Sequence, residues 1–188
     1  MNHPAPLHQT EAFRAAFQTT LDRVADCRTE KELEDRVILP LLALLGYDEA
    51  AIGRQVKFGT KRLDILVQSE RSAPYRHYLV IEAKAPKQSI AHSSWQLRQY
   101  LLISGSIFGL LTNGHTFRLL YNYGGAIECL GEFERADLYR DYRLLGSLLW
   151  QRNCDRVMAA FEESHHQVHD RLVRAIARLA HDPKVMSL

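Results

Sequence analysis

Cysteine is nearly absent: Cys27, Cys129 and Cys154 are the only three in 188 residues. They are odd in number and scattered. They outline neither a disulfide framework nor a metal-binding spacing, and they suit a reducing compartment. An excess of charge of one sign is missing too. The 24 Lys and Arg against 22 Asp and Glu leave a formal charge of +2. Attraction to a polyanion must therefore come from local clustering, not from the field of the whole molecule. The opening stretch MNHPAPLHQT lacks the charged-then-apolar order of a signal peptide. The longest apolar stretches, VILPLLALLGY and YLLISGSIFGLL, are too short or too interrupted to span a bilayer. A cytoplasmic location without a membrane partner is the expectation. There is no GxxxxGK[ST] phosphate loop, no HExxH pattern, no repeat and no low-complexity tract. Apolar and charged fractions of 46% and 24% are ordinary for a globular domain. The length allows one domain with a core and a helical appendage.

What is present is a change of texture along the chain. Phe13, Phe17, Leu21 and Val24 recur at helical spacing after Thr10. A second helix is expected from Thr29, where TEKE reads as a capping box with Glu32 reaching back. Its apolar face continues through Leu33, Val37, Leu41 and Leu45, and Gly46 supplies a left-handed stop. Pro40 falls inside this pattern and should kink or interrupt it. After Gly53 short strands follow. RQVKF and RLDILVQ flank Gly59-Thr60-Lys61 as a hairpin, and HYLVIEA is nearly all apolar, as a buried strand should be. Residues 93–103 read as a helix. SIFGLLT and HTFRLLY flank Asn113-Gly114, a strong hairpin signal. A small strand is expected over Ala126 to Leu130, then helices over Arg135–Trp150 and Cys154–His181. Tyr78–Ala83 and Ile107–Leu111, joined through a helix, should be parallel neighbours. The expectation is one α/β domain with a mixed central sheet flanked by helices and a C-terminal helical extension from residue 135.

Charged residues interrupt two of the apolar strands. Asp64 sits between Leu63 and Ile65, and Glu82 and Lys84 end LVIEAK. Residues two apart on a strand share a face, so Glu82 and Lys84 point the same way. If the strands pair, Asp64 can join them. Three charges on one face of a central sheet are costly unless something binds them. Two carboxylates and the Ala83 carbonyl offer hard oxygen ligands suited to Mg²⁺, with Mn²⁺ able to substitute. Such an ion would orient a phosphate and activate water, and Lys84 would hold that water or neutralise developing charge. Taken singly, each of these residues is more simply read as a solvated or structural charge. Gln96 and Tyr100 lie one turn apart on the following helix and share its face. Trp95 beside them is more simply a packing residue than a base-stacking one.

Together, TEKELEDRVILPLLALLGY, RLDILVQ, YLVIEAK, QLRQY and IFGLLTNGHTFRLL resemble the N-terminal nuclease domain of type I restriction-enzyme R subunits, in the PD-(D/E)xK superfamily. The resemblance covers residues 29–121. It implies a restriction-endonuclease-like core that cuts DNA with Mg²⁺. It implies Asp64 and Glu82 as metal ligands, Lys84 as the catalytic lysine, and Gln96 with Tyr100 as the QxxxY pair. It also implies a helical glutamate that completes the site. Glu30 fits that place best by its distance to Pro40 and Gly46, with Glu34, one turn later, as the alternative. Leu63 stands where the superfamily name has proline. R subunits also carry a motor after the nuclease domain, and these 188 residues show no phosphate loop and leave no room for a motor. Other restriction–modification subunits or a motor protein are therefore candidate partners beside DNA. The alternative reading is a catalytically silent, nuclease-like DNA-binding or regulatory module.

The last helices match no family. His165 and His169 share a face with His166 between them, but no further ligand follows at a telling distance, so a solvated helix is the expectation. Arg171, Arg174 and Arg178 form a stripe opposite Val168, Leu172, Ile176 and Leu179, as a solvated face would.

Overall fold

The computed structural model describes residues 11–69 and 77–142, and part of 143–167. Its first helix, α1 (Glu11–Asp22), buries Phe13, Phe17 and Leu21, and a 3₁₀ turn over Arg23–Asp26 carries buried Val24. Thr29 then starts α2 (Glu30–Leu33) through the full capping box: its side chain accepts the Glu32 N–H, and the Glu32 carboxylate accepts the Thr29 N–H. Pro40 does not end the helix. It sits in the first turn of α3 (Leu39–Leu44), and the segment before it, Glu34–Ile38, is π-helical, with the Leu39 N–H reaching back to the Glu34 carbonyl. A proline inside an α-helix crowds the carbonyl four residues earlier and lacks a donor. The widened turn relieves both problems and lets the chain continue. Gly46 supplies the expected stop, at φ 93°.

Six strands form one sheet in the order β1-β2-β3-β4-β5-β6. The strands are β1 (Ile52–Phe58), β2 (Lys61–Gln68), β3 (His77–Ala83), β4 (Phe108–Thr112), β5 (Thr116–Tyr123) and β6 (Ala126–Glu134). All neighbours are antiparallel except β3 and β4, which run parallel across the connecting helix α4 (Ser94–Ser104), as expected for that crossover. The first hairpin is tighter than the sequence suggests. Phe58 pairs with Lys61, so its turn is Gly59-Thr60 alone. The second closes through Asn113, whose side chain accepts the His115 and Thr116 N–H groups. β6 is longer than Ala126–Leu130 because β5 pairs with it as far as Thr116↔Glu134, carrying the polar stretch ECLGEFE into the ladder.

Leu63, Leu66, Val80, Leu111 and Leu120 of the sheet pack with Leu97, Tyr100 and Leu101 of α4 in one buried cluster. A Cβ on Gly109 would lie 2.9 Å from Leu101 and 3.1 Å from Leu97, so glycine there lets the helix settle onto β4. Each buried leucine contributes about 2 kcal/mol. This packing fixes the height of α4, and with it Gln96 and Tyr100.

The chain divides into two compact units, Met1–Cys154 and Asp155–Leu188. In the first, the helix expected over Arg135–Trp150 is broken. α5 (Arg135–Arg140) ends at Asp141, with φ −143°. Tyr142 instead packs against Phe13 and Phe17, at 5.4 and 5.9 Å between ring centres. The second unit has helical residues at 156–160 and 162–164. His165, His166, His169, Arg171, Arg174 and Arg178 lie outside the described residues. Among the described residues, no helix is long and apolar enough to cross a membrane.

Candidate nuclease site

The β2–β3 register pairs Ile65 with Ile81. One step further along the same antiparallel register sets Asp64 opposite Glu82. Asp64 shares a face with Leu66, and Glu82 and Lys84 share one with Val80. The apolar cluster under α4 therefore ends in three charged residues. Asp64 is half-buried, and its Oδ2 accepts the Ala83 N–H at 3.0 Å. Glu82 is 2% exposed. Its Oε1 accepts from Lys84 Nζ at 2.5 Å, while its Oε2 is buried with no hydrogen-bond partner. Lys84 itself is anchored by its backbone N–H to the Thr112 carbonyl at 2.9 Å, at the C-terminal end of β4.

The electrostatics follow from burial. Glu82 is pushed up to about 7, first by desolvation and then by the Asp64 charge, with Lys84 opposing. Burial works to lower the Lys84 ammonium, but Glu82, Glu30 and Asp64 outweigh it and hold it above its ordinary value. The Tyr100 phenol is raised by burial above all, with Glu82 and Asp64 adding to it. Tyr100 thus feels the carboxylates, and its hydroxyl accepts from Gln96 Nε2 at 2.7 Å.

Both candidate glutamates border this group, Glu30 at Lys84 and Glu34 at Asp64. Glu30 is the more exposed, and its carboxylate lies 3.8 Å from Lys84 Nζ. Glu34 projects from the π turn, is 4% exposed, and is raised by desolvation and then by Asp64. Arg54 Nη2 lies 3.4 Å from Glu34 and 2.5 Å from Asp35. Gln55 Nε2 lies 3.4 Å from Asp64 Oδ1. The sequence reading missed Arg54 and Gln55. Counting a two-residue turn at Gly59-Thr60 would have set Gln55 across from Asp64.

No family model matches this sequence, and no curated protein matches it. Two solved structures are similar. One is a fragment described as an HsdR subunit of a type I restriction enzyme from Vibrio vulnificus YJ016, at 22% identity and a TM-score of 0.44 over 62% of this chain. The match spans 26% of that fragment. The other is a DrdV–DNA complex solved by cryo-electron microscopy, at 13% identity and a TM-score of 0.50, over 76% of this chain and 98% of that one. The fold is restriction-enzyme-like.

The oxygen set fits a hard divalent cation. Glu82 Oε2 is buried without a partner, an unfavourable state unless a cation or proton meets it. Asp64 Oδ1 accepts a long contact from Gln55 Nε2 at 3.4 Å, and the Asp64 and Glu82 carboxyls are close enough to share a proton when no cation is bound. Among the described residues, no group of three or more His, Cys, Asp or Glu is gathered as a metal cluster. A site of two carboxylates and a carbonyl is below that count by composition.

This arrangement predicts the effect of Asp64→Asn. The asparagine oxygen can still accept the Ala83 N–H, and its NH₂ replaces a like charge facing Glu82. In EDTA the variant is expected to melt at or above the wild-type temperature. Several millimolar Mg²⁺ is expected to stabilise wild type more than the variant. Thermal melts of both proteins check it. A clearly less stable variant with an unchanged metal response makes Asp64 a structural residue.

Proposed function

We propose that this chain is a Mg²⁺-dependent endodeoxyribonuclease of the PD-(D/E)xK type. The observation that supports this most is the buried Oε2 of Glu82, which has no hydrogen-bond donor, on a carboxylate beside Asp64 whose other oxygen accepts from Lys84. Asp64, Glu82 and the Ala83 carbonyl would hold the cation. When bound, Mg²⁺ lowers the pKa of water and stabilises charge on the leaving oxygen. Lys84 orients the attacking water or neutralises charge on the scissile phosphate. Gln96 and Tyr100 form one hydrogen-bonded unit that supports the carboxylates from α4. DNA is the substrate of this reading, and other restriction–modification subunits or a motor protein are its candidate partners.

Purified protein is expected to nick or cut DNA with Mg²⁺ or Mn²⁺, to stop with EDTA, and to ignore ATP. Gel assays on supercoiled and linear DNA check this. Absence of both cleavage and metal binding favours the silent DNA-binding or regulatory module instead.

The two glutamates are assigned different tasks. Glu34, buried beside Asp64, adds negative charge to the cation side without being one of the ligands, and Glu30 is a counter-ion for Lys84. Glu34→Gln is therefore expected to reduce cleavage at saturating Mg²⁺ by about a hundredfold, and Glu30→Gln by less than about tenfold. Glu30 also sits in the first turn of α2, where the helix dipole favours a carboxylate, so its loss costs a few tenths of a kcal/mol, about the low end for such sites. The readout is activity, not melting temperature. The reverse order of activities gives Glu30 the larger part in the site.

A further inference from the structure

Gln55 stands in the left-handed region, at φ 50°, and is the only non-glycine among the described residues to do so. It lies inside β1, not in a turn. Its neighbours keep their ladder pairs, Arg54↔Ile65 and Val56↔Leu63, while the pair between them, Gln55 with Asp64, is not formed. A side chain with a Cβ is strained there, and glycine is not. The surrounding sequence accommodates the distortion. A Cβ on Gly53 would come within 2.7 Å of Val56 Cγ2, so glycine makes room for the bent strand. At the kink, the Gln55 amide reaches Asp64 Oδ1 at 3.4 Å, while the Ala83 N–H holds Oδ2 at 3.0 Å. Arg54, one residue earlier, holds Glu34 and Asp35. Both residues at the bend therefore contact acids of the candidate site.

We propose that Gln55 is a positioning residue for Asp64. Its strained backbone brings the amide to Oδ1 and, with the Ala83 N–H, fixes the plane of the carboxylate that shares a divalent cation with Glu82. Strain in a strand is kept where the surroundings over-determine it, and such places cluster at functional sites. Glycine at position 55 would relieve the backbone. What glutamine adds is the amide. This inference rests on the cation-dependent nuclease reading given above.

The test uses the full chain and Mn²⁺ alone as the probe. Gln55→Gly removes strain and amide together. Gln55→Asn keeps an amide on a residue that tolerates the left-handed region, but is one methylene too short. In EDTA both variants are expected to melt at or above wild type, since strain is relieved. In Mn²⁺ titrations followed by calorimetry or melting, both are expected to bind about tenfold more weakly, the usual loss when a group that orients a metal ligand is removed. Cleavage at low Mn²⁺ is expected to fall in step and to recover at high Mn²⁺. Mn²⁺ binding within about twofold of wild type in both variants overturns the proposal. So does a Gln55→Gly protein that melts below wild type in EDTA, which makes Gln55 an ordinary packing residue. Wild type that neither binds Mn²⁺ nor cuts DNA sinks the nuclease reading itself, and this inference with it. That outcome is read from wild type alone, so the two failures are distinguishable.

Discussion

Lys84→Ala is expected to lower DNA cleavage by about 10³-fold, the usual loss when a group aimed at developing charge is removed, while DNA affinity stays within about threefold. Both halves follow from where the ammonium sits. It is 16% exposed, bonded to Glu82 Oε1 at 2.5 Å, and its charge is held by Glu82, Glu30 and Asp64. A lysine so enclosed by carboxylates contributes little to attraction at a distance. In the proposed reaction its value is local, at the carboxylates it is bonded to. Loss of one phosphate-directed charge among several changes affinity modestly. An electrophoretic shift in Ca²⁺ measures affinity with chemistry suppressed, and a plasmid assay in Mg²⁺ measures cleavage. Loss of affinity that matches the loss of cleavage makes Lys84 a DNA anchor.

The second large effect is on stability in EDTA. Glu82 titrates near 7 in the folded chain against 4.5 as a free side chain. The folded state therefore binds more protons between those values, and stability must fall as pH rises through the window. Below pH 4.5 the group costs nothing, and above pH 7 the full cost is present. That cost is about 3 kcal/mol at about 1.4 kcal/mol per tenfold change in proton affinity. It corresponds to roughly 6–12 °C in melting temperature for a chain of this size. Glu82→Gln removes the titration. Relative to wild type, its stability is expected to gain through pH 5 to 8, although Lys84 loses its closest partner. The difference in slope is the readout, because the lost ion pair shifts the absolute level. Wild type with Mn²⁺ is expected to show the opposite trend, since a cation favours ionised Glu82. Chemical denaturation at several pH values with EDTA or Mn²⁺ checks both. Parallel pH curves for wild type and Glu82→Gln in EDTA place Glu82 in an ordinary solvated setting.

The main frame was legible from pattern alone, because each signal has a local physical cause. The TEKE capping box needs only Thr29 and Glu32. The apolar run ending in Glu82 and Lys84 marks a buried strand, and the crossover makes β3 and β4 parallel. The alternation that sets Asp64 with Glu82 is a property of any strand pair. The missed features depend on tertiary context. The π turn that opens at Glu34 depends on the whole segment before Pro40, and helix periodicity alone leaves Glu30 and Glu34 one turn apart on a shared face. The left-handed Gln55 was invisible because glutamine has no preference for that region. The length of β6 was underestimated because its polar residues pair only in the presence of β5. Tyr142 leaves the expected helical course for the Phe13 and Phe17 rings, contacts more than a hundred residues away in sequence.

Crystals soaked in Mn²⁺, with anomalous diffraction recorded at the manganese edge, address the central claim most directly. A peak is predicted in contact with Glu82 Oε2 and the Asp64 carboxylate, with Lys84 Nζ nearby and free to face a phosphate. An anomalous map with no peak beside Glu82, at Mn²⁺ concentrations that support cleavage, would contradict it.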